Sequence, residues 1–113
     1  MPEQPTALQL DWDSLFAGPL GWEVEGDRLG GAGASVLIIT AQPGQGPALH
    51  RHPYPEILVI LEGRVTLTVG GETLEAHARQ IILVPAHVPH AFVNTGSGIL
   101  RQVDIHCSSR FET

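Results

Sequence analysis

The stretch GQGPALHRHPYPEILVILEG, residues 44–63, decides how this chain reads. It sets His50 and His52 two residues apart and places Glu56 four residues further on. Side chains of an extended strand alternate faces, so His50 and His52 point the same way. Pro53-Tyr54-Pro55 breaks that segment, and Glu56 opens an apolar run that ends at Gly63. Two imidazoles with a carboxylate on the next segment supply three corners of a transition-metal site. His90 starts a later strand after the turn Pro85-Ala86-His87-Val88-Pro89, and is the candidate for the fourth corner. Burying such groups without a partner or an ion costs on the order of several kcal/mol.

Outward from that stretch the chain reads as short strands. Ser35–Gln42 is rich in β-branched residues and stops at Pro43-Gly44. Ala48–His52 reads as a short strand, Glu56–Leu61 as the strongest, and Arg64–Val69 as a clean alternation. Gly70-Gly71 signals a hairpin into Glu72–Ala76. Gln80–Val84 reads as a buried strand, followed by His90–Asn94 and Ile99–Cys107. Before these, Leu8–Trp12 alternates as a first edge strand, Asp13–Gly21 reads as loop with one helical turn near Ser14-Leu15-Phe16, and Trp22–Glu25 alternates again. No segment holds a helical period, so the expectation is an all-β sandwich or barrel spanning residues 8–113, with residues 1–7 a flexible arm.

Charge narrows the partners. Six basic against twelve acidic residues give a net charge of −6, which argues against nucleic acid or an anionic membrane surface. The single Cys107 allows no internal disulfide, which suits a reducing compartment. No apolar run approaches the ~20 residues of a membrane span, and no secretory leader pattern opens the chain, so a cytoplasmic protein is expected.

The spacing resembles that of the cupin superfamily. Gly44, His50, His52, Glu56 and Gly63 match its first motif at every position. Pro85, His90 and Asn94 match the second, while Arg79 and His87 stand where that motif has glycine. Fifteen residues separate the motifs, as in short single-domain microbial cupins. The resemblance implies a double-stranded β-helix, or jelly-roll, and gives ligand roles to His50, His52, Glu56 and His90. Three neutral imidazoles and one carboxylate suit one divalent transition metal among Fe, Mn, Ni, Co, Cu and Zn, and disfavour Mg or Ca. His87 is expected at the exposed barrel mouth, and His77, in a polar turn, is expected to carry no chemistry.

Beyond the ligands, Phe92 and Tyr54 are candidates for the pocket. In the last strand Gln102, Asp104 and His106 alternate with Val103 and Ile105. One arrangement turns the polar set toward the metal. The commoner arrangement for an edge strand makes Val103 and Ile105 the core. Cys107 has no basic group beside it other than Arg110 and is not expected to be a nucleophile.

The functional expectation is a metalloenzyme acting on a small organic molecule. Dioxygenase chemistry leads, an isomerase or decarboxylase follows, and Glu56 doubles as ligand and proton acceptor. The alternative is a non-catalytic cup or sensor for a sugar or organic acid. Edge strands and a small core suggest a homodimer.

Overall fold

A computed structural model describes residues 7–112. Most of the expected arm at residues 1–7 therefore lies outside the described residues. The structure is all-β. Its strands are β1 (Phe16–Gly18), β2 (Gly21–Val24), β3 (Ser35–Ala41), β4 (Glu56–Glu62), β5 (Arg64–Val69), β6 (Glu72–His77), β7 (Ile81–Val84), β8 (His90–Asn94) and β9 (Leu100–His106). The larger sheet runs β1-β2-β3-β9-β4-β7, and the smaller runs β6-β5-β8. Every pairing is antiparallel.

The two sheets enclose one apolar core. Ile39, Ala41, Leu58, Ile60, Val84 and Leu100 face inward from the larger sheet, and Val65, Leu67, Ala76 and Phe92 meet them from the smaller. Each fully buried aliphatic side chain contributes roughly 1.5–3 kcal/mol to holding the sheets together. The result is the expected jelly-roll.

Two tight turns set the register. Gly70-Gly71 joins β5 to β6 with Val69 opposite Glu72, as the hairpin signal required. Gly63 turns β4 into β5 at φ +91°, and a Cβ there would lie 2.5 Å from the Ile99 carbonyl oxygen. Only glycine fits that approach. Arg79 and His87, at φ 77° and 69°, are the only non-glycine residues at positive φ among those described. These are the two positions where the cupin motif has glycine, so the chain keeps the left-handed backbone without the residue that favours it.

Four expectations need correction. Leu8–Trp12 forms no strand; a 3₁₀ turn, Trp12–Ser14, follows it. Instead Leu8, Leu10, Trp12 and Leu15 lie over Val24, Val36 and Ile38 on the outer surface of the larger sheet. Their alternation lines a groove on that surface and makes no strand pairing. Phe16–Gly18, read as loop, becomes β1, because it closes a hairpin on β2 with Gly18 opposite Gly21. Ala48–His52 makes a single bridge, His50 to His90, and no continuous strand. β7 is an edge rather than a buried strand: it pairs only with β4, and its Ile81 and Leu83 are 70% and 61% exposed.

Candidate metal centre

The second motif is tied to the first by backbone hydrogen bonds. The His50 N–H donates to the His90 carbonyl at 3.0 Å, and the His90 N–H returns to the His50 carbonyl at 2.7 Å. The His87 N–H donates to the His52 carbonyl at 2.8 Å. β8 itself is anchored by Asn94, whose amide donates to the carbonyls of Ala41 and Gly98, each at 2.9 Å.

His50, His52, Glu56 and His90 each present one donor atom, and these four atoms lie within 4.8 Å of one another. His52, Glu56 and His90 are buried, and His50 is partly so. The imidazole tautomers follow from their outer partners. Nδ1 of His50 lies 2.7 Å from the Ala48 carbonyl oxygen, Nδ1 of His52 2.8 Å from that of Tyr54, and Nδ1 of His90 2.8 Å from that of Val88. A carbonyl oxygen can only accept, so each Nδ1 carries the proton. Each Nε2 is then a lone pair turned inward. Nε2 of His52 and of His90 stand 2.9 and 3.3 Å from Oε1 of Glu56, so acceptors face an acceptor. Only a cation among them, a metal ion or a proton, satisfies that geometry. The donor set suits a first-row divalent ion.

Electrostatics agree with the crowding. Burial alone would raise the Glu56 carboxyl, but the close imidazoles of His90, His106 and His52, once protonated, outweigh it and hold its pKa at about 2. Burial opposes protonation of His90, but the Glu56 carboxylate, which accepts from Nε2 once His90 is protonated, wins and raises its pKa. Burial pulls His106 down to about 4, with the neighbouring imidazoles adding to the shift. Burial, reinforced by the negative charge of Glu56, pushes Asp104 well above the usual carboxylate range.

A cavity of about 240 Å³ adjoins the cluster. Leu20, Leu37, Ile39, Leu58, Leu67, Val84 and Phe92 give it apolar walls, and His50, Glu56, His90, Asp104 and His106 give it a polar end. Gly18, Pro19, Gly21, Glu23, Pro47 and Ala91 complete the lining. The chain has no lysine, and among the described residues no arginine lines the cavity.

The pocket candidates divide. Phe92, Asp104 and His106 line the cavity, whereas Tyr54 and Gln102 do not. Gln102 is buried behind Asp104 and donates to its Oδ1 at 2.7 Å. Tyr54 is buried against His52 and His106. The commoner reading of the last strand, with Val103 and Ile105 as core, does not hold. Gln102, Asp104 and His106 are buried and face inward, because β9 lies between β3 and β4 in mid-sheet, with His106 opposite Glu56. Glu23 and Leu20 escaped sequence reading, although the alternation of β2 placed Glu23 on the face of Gly21. His77, His87 and Cys107 are exposed.

An all-β jelly-roll with three histidines and a glutamate gathered at one end of its cavity defines a class of small barrel protein. Comparison with known proteins gives the family: the chain belongs to the cupins, with residues 37–106 matching the Cupin domain. The HTH-type transcriptional regulator PuuR of Escherichia coli is 28% identical over 113 residues, covering 97% of this chain and 61% of the regulator. The chain thus spans less than two thirds of that relative. Polyketide synthase CurC of Streptomyces cyaneus is 32% identical over 76 residues, 66% of this chain and 49% of that protein. Among solved structures, BH2720 of Bacillus halodurans superposes with TM-score 0.66 at 26% identity, covering 70% of this chain and 65% of that one. A variant of Bacillus subtilis oxalate decarboxylase OxdC superposes with TM-score 0.73 at 20% identity, covering 80% of this chain and 26% of that one.

Proposed function

We propose that this cupin is a metalloenzyme acting on a small organic molecule held in the barrel cavity, with use of dioxygen the leading chemistry. One observation carries the reading: the apolar cavity ends on His50, Glu56 and His90, three of the four clustered donors. A bound divalent ion of the Fe, Mn, Ni, Co, Cu or Zn group supplies Lewis acidity or, for its redox-active members, dioxygen chemistry. The inward Nε2 atoms of His50, His52 and His90 and the Glu56 carboxylate hold it. Glu56 also accepts a proton at its carboxylate when substrate is bound. Leu58, Leu67 and Phe92 exclude water from the reacting end.

The lining favours a neutral or largely apolar molecule with one oxygen donor over a small dianion, because no cationic side chain faces the cavity. The test is to strip the protein with chelator, reload it with Fe(II), Mn(II) or Ni(II), and follow oxygen uptake with small carbonyl and phenolic compounds. Uptake that appears with one ion and vanishes on chelation supports the enzyme. Uptake unaffected by chelation would overturn it.

A second reading has its own support. The match to a transcriptional regulator extends over 97% of the chain, which favours a cup that binds a metabolite without transforming it. A ligand that raises the melting temperature and is recovered unchanged would decide for that reading. In either case we place the protein as a homodimer in the cytoplasm. Leu61, Ile81 and Leu83, exposed along β4 and β7, support pairing, and the exposed free Cys107 suits a reducing compartment. Light scattering at micromolar concentration tests the dimer.

A further inference from the structure

Among the described residues, Glu23 is the one ionisable side chain of the cavity wall that stands apart from the histidines, Glu56 and Asp104. Its neighbours on β2 turn to the outer surface of the sheet. Trp22 meets Trp12 there at 5.8 Å between ring centroids, and Val24 lines the outer groove. Alternation therefore sends Glu23 inward. Register fixes its distance from the metal-ligand candidates. Glu23 lies opposite Leu37, and Leu37 lies opposite Asp104. Two strand spacings, about 10 Å, thus separate the backbones of Glu23 and Asp104. The cavity carries carboxyl groups at both ends and apolar side chains between them.

The Glu23 carboxylate is partly buried and has no counter-charge. The arginine ion pairs of the described residues lie elsewhere, Arg101 with Glu62 and Arg110 with Asp27. Arg28 sits over the ring of Phe16, the partner of Glu23 on β1, and makes no ion pair. Room is left beside the carboxylate. A Cβ at Gly18 would stand 3.0 Å from Oε2 of Glu23, and the Gly18 backbone is not in the left-handed region that calls for glycine. Its missing side chain therefore supplies space rather than a turn. We propose that Glu23 selects the ligand of the cavity: its carboxylate receives the protonated amine of a small organic molecule whose other end, an oxygen donor, reaches the metal-ligand candidates. A lining with three carboxyl groups and no cationic side chain attracts a positive group and repels a negative one. A neutral hydroxyl can also donate to Glu23, but without the charge that strengthens the bond. The inference deepens the proposed function and rests on its reading of the cavity as the ligand site. It does not depend on the metal, because Glu23 stands at the opposite end.

Aminohexanol and hexanediol, equal in length and different in one terminal group, are the probes. NMR titrations at neutral pH, on metal-free and on Zn(II)-treated protein, give their dissociation constants. Aminohexanol is expected to bind roughly 10–100-fold more tightly than hexanediol in both, the range for a hydrogen bond to a charged group. The carbon-13 signal of the Glu23 carboxyl is expected to move with the amine and to stay with the diol. Glu23→Gln, which keeps the shape and removes the charge, is expected to bring the two probes to equal affinity. Equal binding by the unaltered chain, no binding of the amine, an unmoved Glu23 signal, or a preference that survives in Glu23→Gln would each overturn the proposal. Failure of the unaltered chain to bind Zn(II) would sink the metal reading, and the amine preference would still be decided in the metal-free protein.

Discussion

His52 lies flat on Tyr54, with ring centroids 4.2 Å apart and planes 7° from parallel. The Tyr54 carbonyl takes the His52 Nδ1–H, and its hydroxyl meets His106. One residue between two prolines thus orients two imidazoles on either side of Glu56. Tyr54→Ala is expected to lower stability by about 3–4 kcal/mol, in the range for emptying a buried aromatic site. It is also expected to weaken metal binding by at least about tenfold. Urea denaturation of metal-free protein and a Zn(II) titration measure the two losses separately.

Removing a proposed ligand outright should separate metal from fold. His52→Ala is expected to abolish stoichiometric metal in protein purified without added metal, while the far-ultraviolet spectrum stays that of a β protein. In the unaltered chain, Zn(II) at about 100 times its dissociation constant should add about 2.7 kcal/mol of stability, which chelator removes. Elemental analysis and thermal melts check both. An unchanged metal content in His52→Ala would remove His52 from the site.

The pH dependence of the metal-free protein follows from two opposed groups. The folded pKa of His106 is lowered from 6.5 to about 4, so the unfolded chain takes the proton first and stability falls as pH drops through that window. The Asp104 pKa is raised well above 3.8, so the folded state holds the extra proton and stability falls as pH rises through the raised value. Where their windows overlap the two contributions offset, and the unaltered chain should respond weakly. Asp104→Asn should expose the His106 limb and lose stability toward pH 4. His106→Gln should expose the other limb and lose stability toward neutral pH. Below 4.5 the Glu56 carboxyl, held at about 2, adds a further acid loss in every variant that keeps it. Urea midpoints from pH 7 to 4 test the signs; parallel curves for all three proteins would contradict them.

Arg79 and His87 hold left-handed backbone on the surface, at φ 77° and 69°. Relief of a cost of roughly 1–2 kcal/mol per residue is partly offset by the greater freedom of glycine in the unfolded chain. Arg79→Gly and His87→Gly are each expected to raise stability by about 0.5–1 kcal/mol, seen as a higher urea midpoint at unchanged slope. A lower midpoint would mean that the side chains hold contacts worth more than the strain.

Much of the site could be read from the chain because its residues are close in sequence or marked by turns. His50, His52 and Glu56 follow one another across a proline break, and His90 closes a proline turn. The orientation of their lone pairs could not be read. It depends on the carbonyls of Ala48, Tyr54 and Val88, and backbone oxygens have no sequence signature. Leu8–Trp12 misled for a related reason: an alternating apolar pattern also describes a segment laid across the outside of a sheet.

Local pattern was enough for β2 to β9, though not for β1, and for the Gly70-Gly71 hairpin and the family of the fold, since alternation and turn chemistry act within a few residues. It could not determine which face of β9 turns inward. Val103 and Ile105 are as apolar as any core pair, and a period of two offers both faces equally. Only the long-range register decided it: β9 sits between β3 and β4, with His106 opposite both Ser35 and Glu56. That pairing places a histidine and a buried carboxyl beside the metal-ligand candidates and leaves Val103 and Ile105 on the outer face of the sheet.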